Sequence, residues 1–350
     1  MTSLSPEAIA AGDPSRLLDD VLAMGEHLRD GLWRVESAGL RLADAPGGLV
    51  VAGMGGSAIG GALAAAALGP RAARPIAVSR SYALPPWTTQ DTCVLCSSYS
   101  GDTEETVAAY AAAGRLGAVR VVATTGGRLA AAARADGVPV IPLPAALQPR
   151  AAVGYLTAAA LEVAAACGAG PSLGSEIEAA ADLLDSLSAG WGPEGAEDGL
   201  ARQLARDLYG TLPVIVGAGL TIPVAYRWKT QLNENAKVPA AAGELPELDH
   251  NEIQGWAGAD GLARLSAVFL DDVDSHPRDR ERIALTSELA PHPAFAVSSR
   301  GATRTERLFS LVLLGDLVSV YAAVLRGVDP TPVEALTRLK QRLAQTLTQS

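Results

Sequence analysis

The sequence predicts an α/β protein of two doubly wound domains, each a parallel sheet with flanking helices. Two observations carry this expectation. From Gly48 onward short apolar strands alternate with Ala-rich helices, the pattern of a parallel sheet wrapped by helices. Further along, the stretch G-L-V-V-A-G-M-G-G-S at 48–57 is echoed by L-P-V-I-V-G-A-G-L-T at 212–221, each a strand, a glycine turn, a hydroxyl and a helix.

Composition sets the bounds. With 350 residues, 49% hydrophobic and 19% charged, the chain has core enough for about two domains. A net charge of -10 and the lack of any Lys/Arg block exclude electrostatic binding to nucleic acid. Three cysteines with no secretory signal ahead of them point to a reducing cytoplasm, and Cys93 and Cys96 read as buried packing within a strand. Residues 45–70 are uncharged and long enough to imitate a membrane span. Gly53, Gly55, Gly56, Gly60 and Gly61 break that run into strand, turn and helix, so no membrane partner is expected.

In chain order, Asp13-Pro14 reads as an N-cap and first-turn proline opening a helix with Leu17, Leu18, Val21 and Leu22 on its apolar face. Strands are expected at Leu49–Ala52, Pro75–Ser79, Thr92–Ser97, Arg120–Thr124 and Pro139–Leu143. The turn-rich stretch from Ala189 to Pro193 falls within a helical connection over residues 171–198. A helix is placed at Ile222–Lys237, where Arg227, Gln231 and Glu234 or Asn235 share a face; Arg227 and Lys229 fit a solvated surface as well as a functional one. Then follow a strand near Leu265–Leu270, a helix at Arg278–Leu289, a strand at Ala294–Ser298, a core helix over Thr305–Arg326 interrupted by Asp316, and an amphipathic tail from Pro332 to Leu347.

Chemistry is expected at the carboxyl edge of such a sheet. The first strand runs into G-M-G-G-S-A-I-G-G at 53–61, which offers Gly56 amide and Ser57 hydroxyl at a helix start. This spacing departs from the dinucleotide fingerprint, and Ser79, Arg80 and Ser81 stand where its acidic residue would be, so no cofactor is expected. The third strand ends in S-S-Y-S-G-D-T-E-E-T at 97–106, gathering Ser98, Ser100 and Thr103 before a helix. Orphan amides and the positive helix end can hold a phosphate there without lysine.

These two motifs resemble the sugar isomerase (SIS) domain, a flavodoxin-like phosphosugar module. With Q-P-R-A-A-V-G-Y at 148–155, N-E-N-A-K at 233–237 and D-H-N-E-I at 249–253, nearly the whole chain is similar to the bifunctional phosphoglucose/phosphomannose isomerase family. Asp102 stands where the family often has asparagine, and its carboxylate is expected to face solvent, away from a phosphate. The resemblance divides the chain into an N-terminal helical segment at 1–47, a first SIS domain at 48–170 with the phosphate site, a linker at 171–198 and a second SIS domain at 199–350.

By resemblance, Glu234 is the base that moves a proton between C2 and C1, His250 opens the ring, Arg150 steadies the enediolate, and Lys340 assists at the ring oxygen. Gly56, Ser57, Ser98, Ser100 and Thr103 would hold the substrate phosphate. Such chemistry needs a base, an acid and a cation, and no metal. The resemblance also implies a homodimer in which the histidine reaches the partner's site, acting on glucose 6-phosphate, mannose 6-phosphate and fructose 6-phosphate. Two other readings fit the phosphate turns: a non-catalytic phosphosugar sensor, and an enzyme for another phosphosugar. No basic helix-turn-helix supports a DNA-binding regulator, and no N-terminal cysteine supports a glutaminase.

Overall fold

The computed structural model describes residues 3–259, 262–291 and 293–347, so His292 lies outside the described residues. The N-terminal segment begins with α1 (Pro6–Gly12), α2 (Leu17–Leu22) and α3 (Met24–Ala38). Helix α1, unforeseen, is capped by the Ser5 hydroxyl and has proline at its first position. Here the sequence reading needs correction: Asp13 closes α1, and Pro14 sits in the turn between helices. Asp13 still caps α2, its carboxylate accepting from the amides of Leu17 at 3.0 Å and Leu18 at 2.7 Å across that turn.

The first sheet comprises β1 (Leu49–Ala52), followed by α4 (Gly56–Leu68), then β2 (Ile76–Ser79), β3 (Cys93–Ser97), α5 (Glu104–Leu116), β4 (Val119–Thr124), α6 (Gly127–Ala135) and β5 (Val140–Pro142). All its pairings are parallel, and the order is β2-β1-β3-β4-β5. The order in which strands are added to the sheet reverses between β1 and β3, the place where ligands bind sheets of this order. Alternate residues of each strand serve two cores: Leu49, Val51, Leu95 and Val121 face α4 and the helices beyond, whereas Val50, Val94, Cys96 and Val122 face α5 and α6.

From there the chain passes through α7 (Val153–Ala166), α8 (Gly174–Trp191) and α9 (Leu200–Asp207). Helix α8 runs straight through Gly190, where a turn was expected, and packs on α3. Beyond it come β6 (Leu212–Ala218), α10 (Ile222–Glu234), β7 (Ala241–Leu245), α11 (Glu252–Trp256), β8 (Leu265–Asp271), α12 (Pro277–Leu289), β9 (Ala294–Ser298), α13 (Arg304–Arg326) and α14 (Glu334–Leu347). The second sheet has the order β7-β6-β8-β9, again parallel, so it repeats the first without a fifth strand.

Helix α13 is the axis of the molecule. A capping box between Thr303 and Glu306 opens it and Gly327, at φ +66°, closes it. It is long and apolar enough to cross a membrane, and all of that apolar window is buried among α8, α9 and α10. Ile215, Val268, Leu270 and Val297 of the second sheet join the core that already holds the inner face of the first, so one continuous apolar layer binds both sheets.

Candidate active site

The two hydroxyl-rich turns meet at the reversal point. After β1, Gly55 takes φ +52° and delivers Ser57 into the start of α4, where its hydroxyl accepts from the Tyr99 amide at 3.3 Å. After β3, the Ser98 hydroxyl bonds the Thr103 hydroxyl at 2.9 Å and accepts from the Gly101 amide at 3.1 Å. A left-handed φ of +74° at Gly101 brings this turn so close to the next that an added Cβ would lie 1.9 Å from the Gly126 carbonyl. Ser100 is exposed at the rim, its hydroxyl accepting from the Asp102 amide. The Asp102 side chain is exposed and turned toward Arg128, whose amide donates to it at 3.0 Å. The second sheet has no such opening at β6, because the Thr221 hydroxyl bonds inward to the Ala218 amide and the Leu270 carbonyl.

Gly56 joins this region to Arg150. A Cβ on Gly56 would stand 2.9 Å from the Pro149 carbonyl and 3.2 Å from Arg150 Cα, so the turn and the loop leading into α7 are in backbone contact. Arg150 itself is 4% exposed and fully engaged: Nε donates to Asn235 Oδ1 at 2.6 Å, Nη2 to the carbonyls of Pro330 and Thr331 at 2.9 Å each, and Nη1 faces Glu234 Oε2 at 3.7 Å. Burial pushes the Arg150 guanidinium below its ordinary value, and the Glu234 carboxylate pulls it back.

Behind Arg150 lies a buried polar network. Arg227 Nη2 donates to the Arg150 carbonyl at 3.0 Å and pairs with Asp316 of α13 at 2.6 Å, both side chains being at most 2% exposed. Asn235 donates to Ser319 Oγ at 2.8 Å, which in turn bonds the Asp316 carbonyl. Arg227 therefore does not belong to a solvated face; it anchors α10 to α13 and steadies the Arg150 main chain. Lys229, partly buried, lies with its ammonium 5.2 Å from the exposed Tyr226 ring.

Glu234 lines a cavity of about 890 Å³ bounded by the end of α10, the irregular segment leading into β7 and the start of α14. Asn233, Lys237, Ala240, Asp329 and Leu336 are among its walls. Beyond the end of α10 the chain folds back on the last turn, the amides of Ala236 and Val238 both donating to the Leu232 carbonyl, at 3.1 and 3.2 Å. The residue at the left-handed position is Lys237, φ +55°, where glycine would avoid a cost of about 1 kcal/mol. Its ammonium donates to the carbonyls of Glu234 at 2.7 Å and Pro330 at 3.0 Å.

Within one chain His250 does not reach this cavity. Ala240, before β7, lines it, whereas His250 lies in a 3-10 turn beyond the other end of β7, a strand that spans ~16 Å. The side chain is exposed, and neighbouring Asp249 is held instead by Arg282 at 2.7 Å and Thr286 at 2.8 Å on α12. Lys340 is exposed on α14, one helical turn beyond Leu336 of the cavity wall.

Residues 197–343 match the family described as the bacterial phospho-glucose isomerase C-terminal SIS domain. A bifunctional phosphoglucose/phosphomannose isomerase of Caldicellulosiruptor bescii is 40% identical over 303 residues, covering 85% of this chain and 89% of the relative. The chain belongs to the bifunctional phosphoglucose/phosphomannose isomerase family. An Aquifex aeolicus member of that family is 32% identical over 85% of this chain and 90% of the relative. Among solved structures, a glucose-6-phosphate isomerase like protein from Thermus thermophilus shares the fold at a TM-score of 0.63, with 20% identity over 97% of this chain and 99% of that one.

The motifs single out the two hydroxyl-rich turns, and the resemblance singles out Arg150 and Glu234, but neither points to what holds them. Arg227, Asp316 and the 330–331 carbonyls were missed as supports, although the charged Asp316 inside an apolar 23-residue helix was the signal that a buried cation must face it.

Proposed function

We propose that the chain is a metal-independent aldose–ketose isomerase that interconverts glucose 6-phosphate and/or mannose 6-phosphate with fructose 6-phosphate. The observation that carries this reading is the Glu234 carboxylate set 3.7 Å from the buried Arg150 guanidinium at the wall of a cavity of about 890 Å³, with the Arg150 backbone in contact with the hydroxyl-rich turn at Gly56.

In this reading Gly56, Ser57, Ser98, Ser100 and Thr103 hold the phosphate, their amides and hydroxyls supplying donors at helix starts. Glu234 removes the C2 proton of the open-chain aldose, and the electron pair moves toward the C1 carbonyl to give a cis-enediolate. Arg150 faces that charge; its rigid mounting means little reorganisation as the charge develops. A proton then passes from the C2 hydroxyl to O1, and returning the carried proton to C1 leaves the carbonyl at C2. Abstraction from either face of C2 accounts for both aldose epimers. Ring opening falls to His250 from a second copy of the chain, since the length of β7 separates it from its own cavity, and the site is completed in a homodimer. Lys340, one turn beyond the cavity wall, assists at the ring oxygen.

The test is a coupled assay for fructose 6-phosphate from each aldose phosphate with a chelator present. Turnover of one or both sugars, untouched by chelator and abolished in Glu234→Gln, supports the reading. No turnover of either sugar overturns it.

A further inference from the structure

The chain holds 25 arginines and only three lysines, Lys229, Lys237 and Lys340. Lys237 occupies the left-handed position that closes α10, a place glycine fills without strain, and its side chain is not spent on solvent. Two of its three N–H groups are accounted for, by the Glu234 carbonyl and the Pro330 carbonyl, which leaves one for the cavity it lines. The Pro330 carbonyl is shared: Arg150 Nη2 donates to it at 2.9 Å and Lys237 Nζ at 3.0 Å. One carbonyl thus tethers both cations, and through Lys237 the backbone of the proposed base is tied to the same point.

We propose that Lys237 is a positioning residue of the isomerisation, fixing the Glu234 carboxylate relative to Arg150 by clamping the end of α10 to the Pro330 carbonyl. This inference rests on the isomerase reading and assigns a role to a residue outside the base, acid and cation already named. The groups around the ammonium are Arg150, which disfavours its charge, and Asp329, Glu234 and Glu334, which favour it; burial is the largest influence and lowers its proton affinity. A compact ammonium suits this task, because its three N–H groups turn on a flexible stem to meet both carbonyls.

The test compares Lys237→Met, Lys237→Arg and Lys237→Gly with the wild type across pH. Misplacing the base relative to the cation lowers kcat ~10- to 100-fold in Lys237→Met, with KM changed less than about threefold. The acid limb of kcat moves to higher pH, because a carboxylate that loses a nearby cation keeps its proton longer. Lys237→Arg keeps that limb in place while losing part of kcat. Lys237→Gly, which relieves the left-handed backbone, stays folded and shows the same loss as Lys237→Met, so a folding failure of the latter leaves the claim testable. A kcat within about twofold of wild type and an unmoved limb in the glycine variant overturns the proposal. If the wild type turns over neither sugar, the isomerase reading fails separately, and lysine-selective NMR decides on Lys237: its ammonium signal titrates at lower pH in Glu234→Gln if the two groups are coupled, and an unmoved signal rejects the clamp.

Discussion

Asn235 Oδ1 accepts a hydrogen bond from Arg150 Nε at 2.6 Å, and the same side chain, with no exposed surface of its own, donates through Nδ2 to Ser319 of α13. Arg150 is in this way oriented by the residue that follows Glu234 in sequence, so the cation and the carboxylate are set by the same turn of α10. Asn235→Ala leaves the guanidinium Nε and the Ser319 hydroxyl short of a partner in a dry interior. The expected result is a loss of about 1–3 kcal/mol in urea unfolding together with a fall in kcat, whereas Asn235→Asp, which still accepts, retains more activity.

Gly56 should tolerate no side chain. A methyl group there meets the Pro149 carbonyl and Arg150 Cα, both backbone, so neither can swing aside. Gly56→Ala is expected to cost about 1–3 kcal/mol in stability and to lower kcat/KM for the phosphosugar through displacement of Arg150. Thermal unfolding and steady-state kinetics on the one variant check both halves.

The Arg227–Asp316 pair is buried on both sides, and breaking half of it strands a charge. Arg227→Met alone or Asp316→Leu alone should destabilise by about 3–5 kcal/mol, while the double variant recovers much of that loss. Stability alone does not report the second task of Arg227. Because its Nη2 also holds the Arg150 carbonyl at 3.0 Å, the double variant should fold and still show reduced kcat.

A shared site makes a prediction about mixtures. If the proposed site is shared in a homodimer, Glu234→Gln and His250→Asn should each be inactive, but chains of the two kinds co-assembled at equal amounts should form mixed dimers with one intact site and return about a quarter of wild-type activity. Mixtures as inactive as their components would place His250 outside the partner's site.

Much of the architecture was legible because parallel strands buried on both faces read as continuous apolar runs, as L-V-V-A at 49–52 and C-V-L-C-S at 93–97 do. Strand β7 was not seen, since A-A-G-E-L at 241–245 contains no β-branched or aromatic residue and is a strand only because β6 lies beside it. The two hydroxyl-rich turns were visible as local hydroxyl and glycine spacing. Arg227 was read equally as surface because its partner, Asp316, is 89 positions away in sequence, and no periodicity on α10 alone shows which face α13 will cover. Glu234 and Arg150 stood out through family resemblance; their 3.7 Å separation is a product of tertiary packing.

The most direct measurement of the central claim is the fate of hydrogen at C2. Fructose 6-phosphate incubated with the wild type in deuterium oxide, its aldose phosphates then examined by proton NMR, should gain deuterium at C2 as the proton carried by Glu234 exchanges with solvent before transfer. Glu234→Gln should give neither aldose nor label. Aldose phosphate formed without any deuterium, or label gained equally in Glu234→Gln, would contradict a proton relay through this carboxylate.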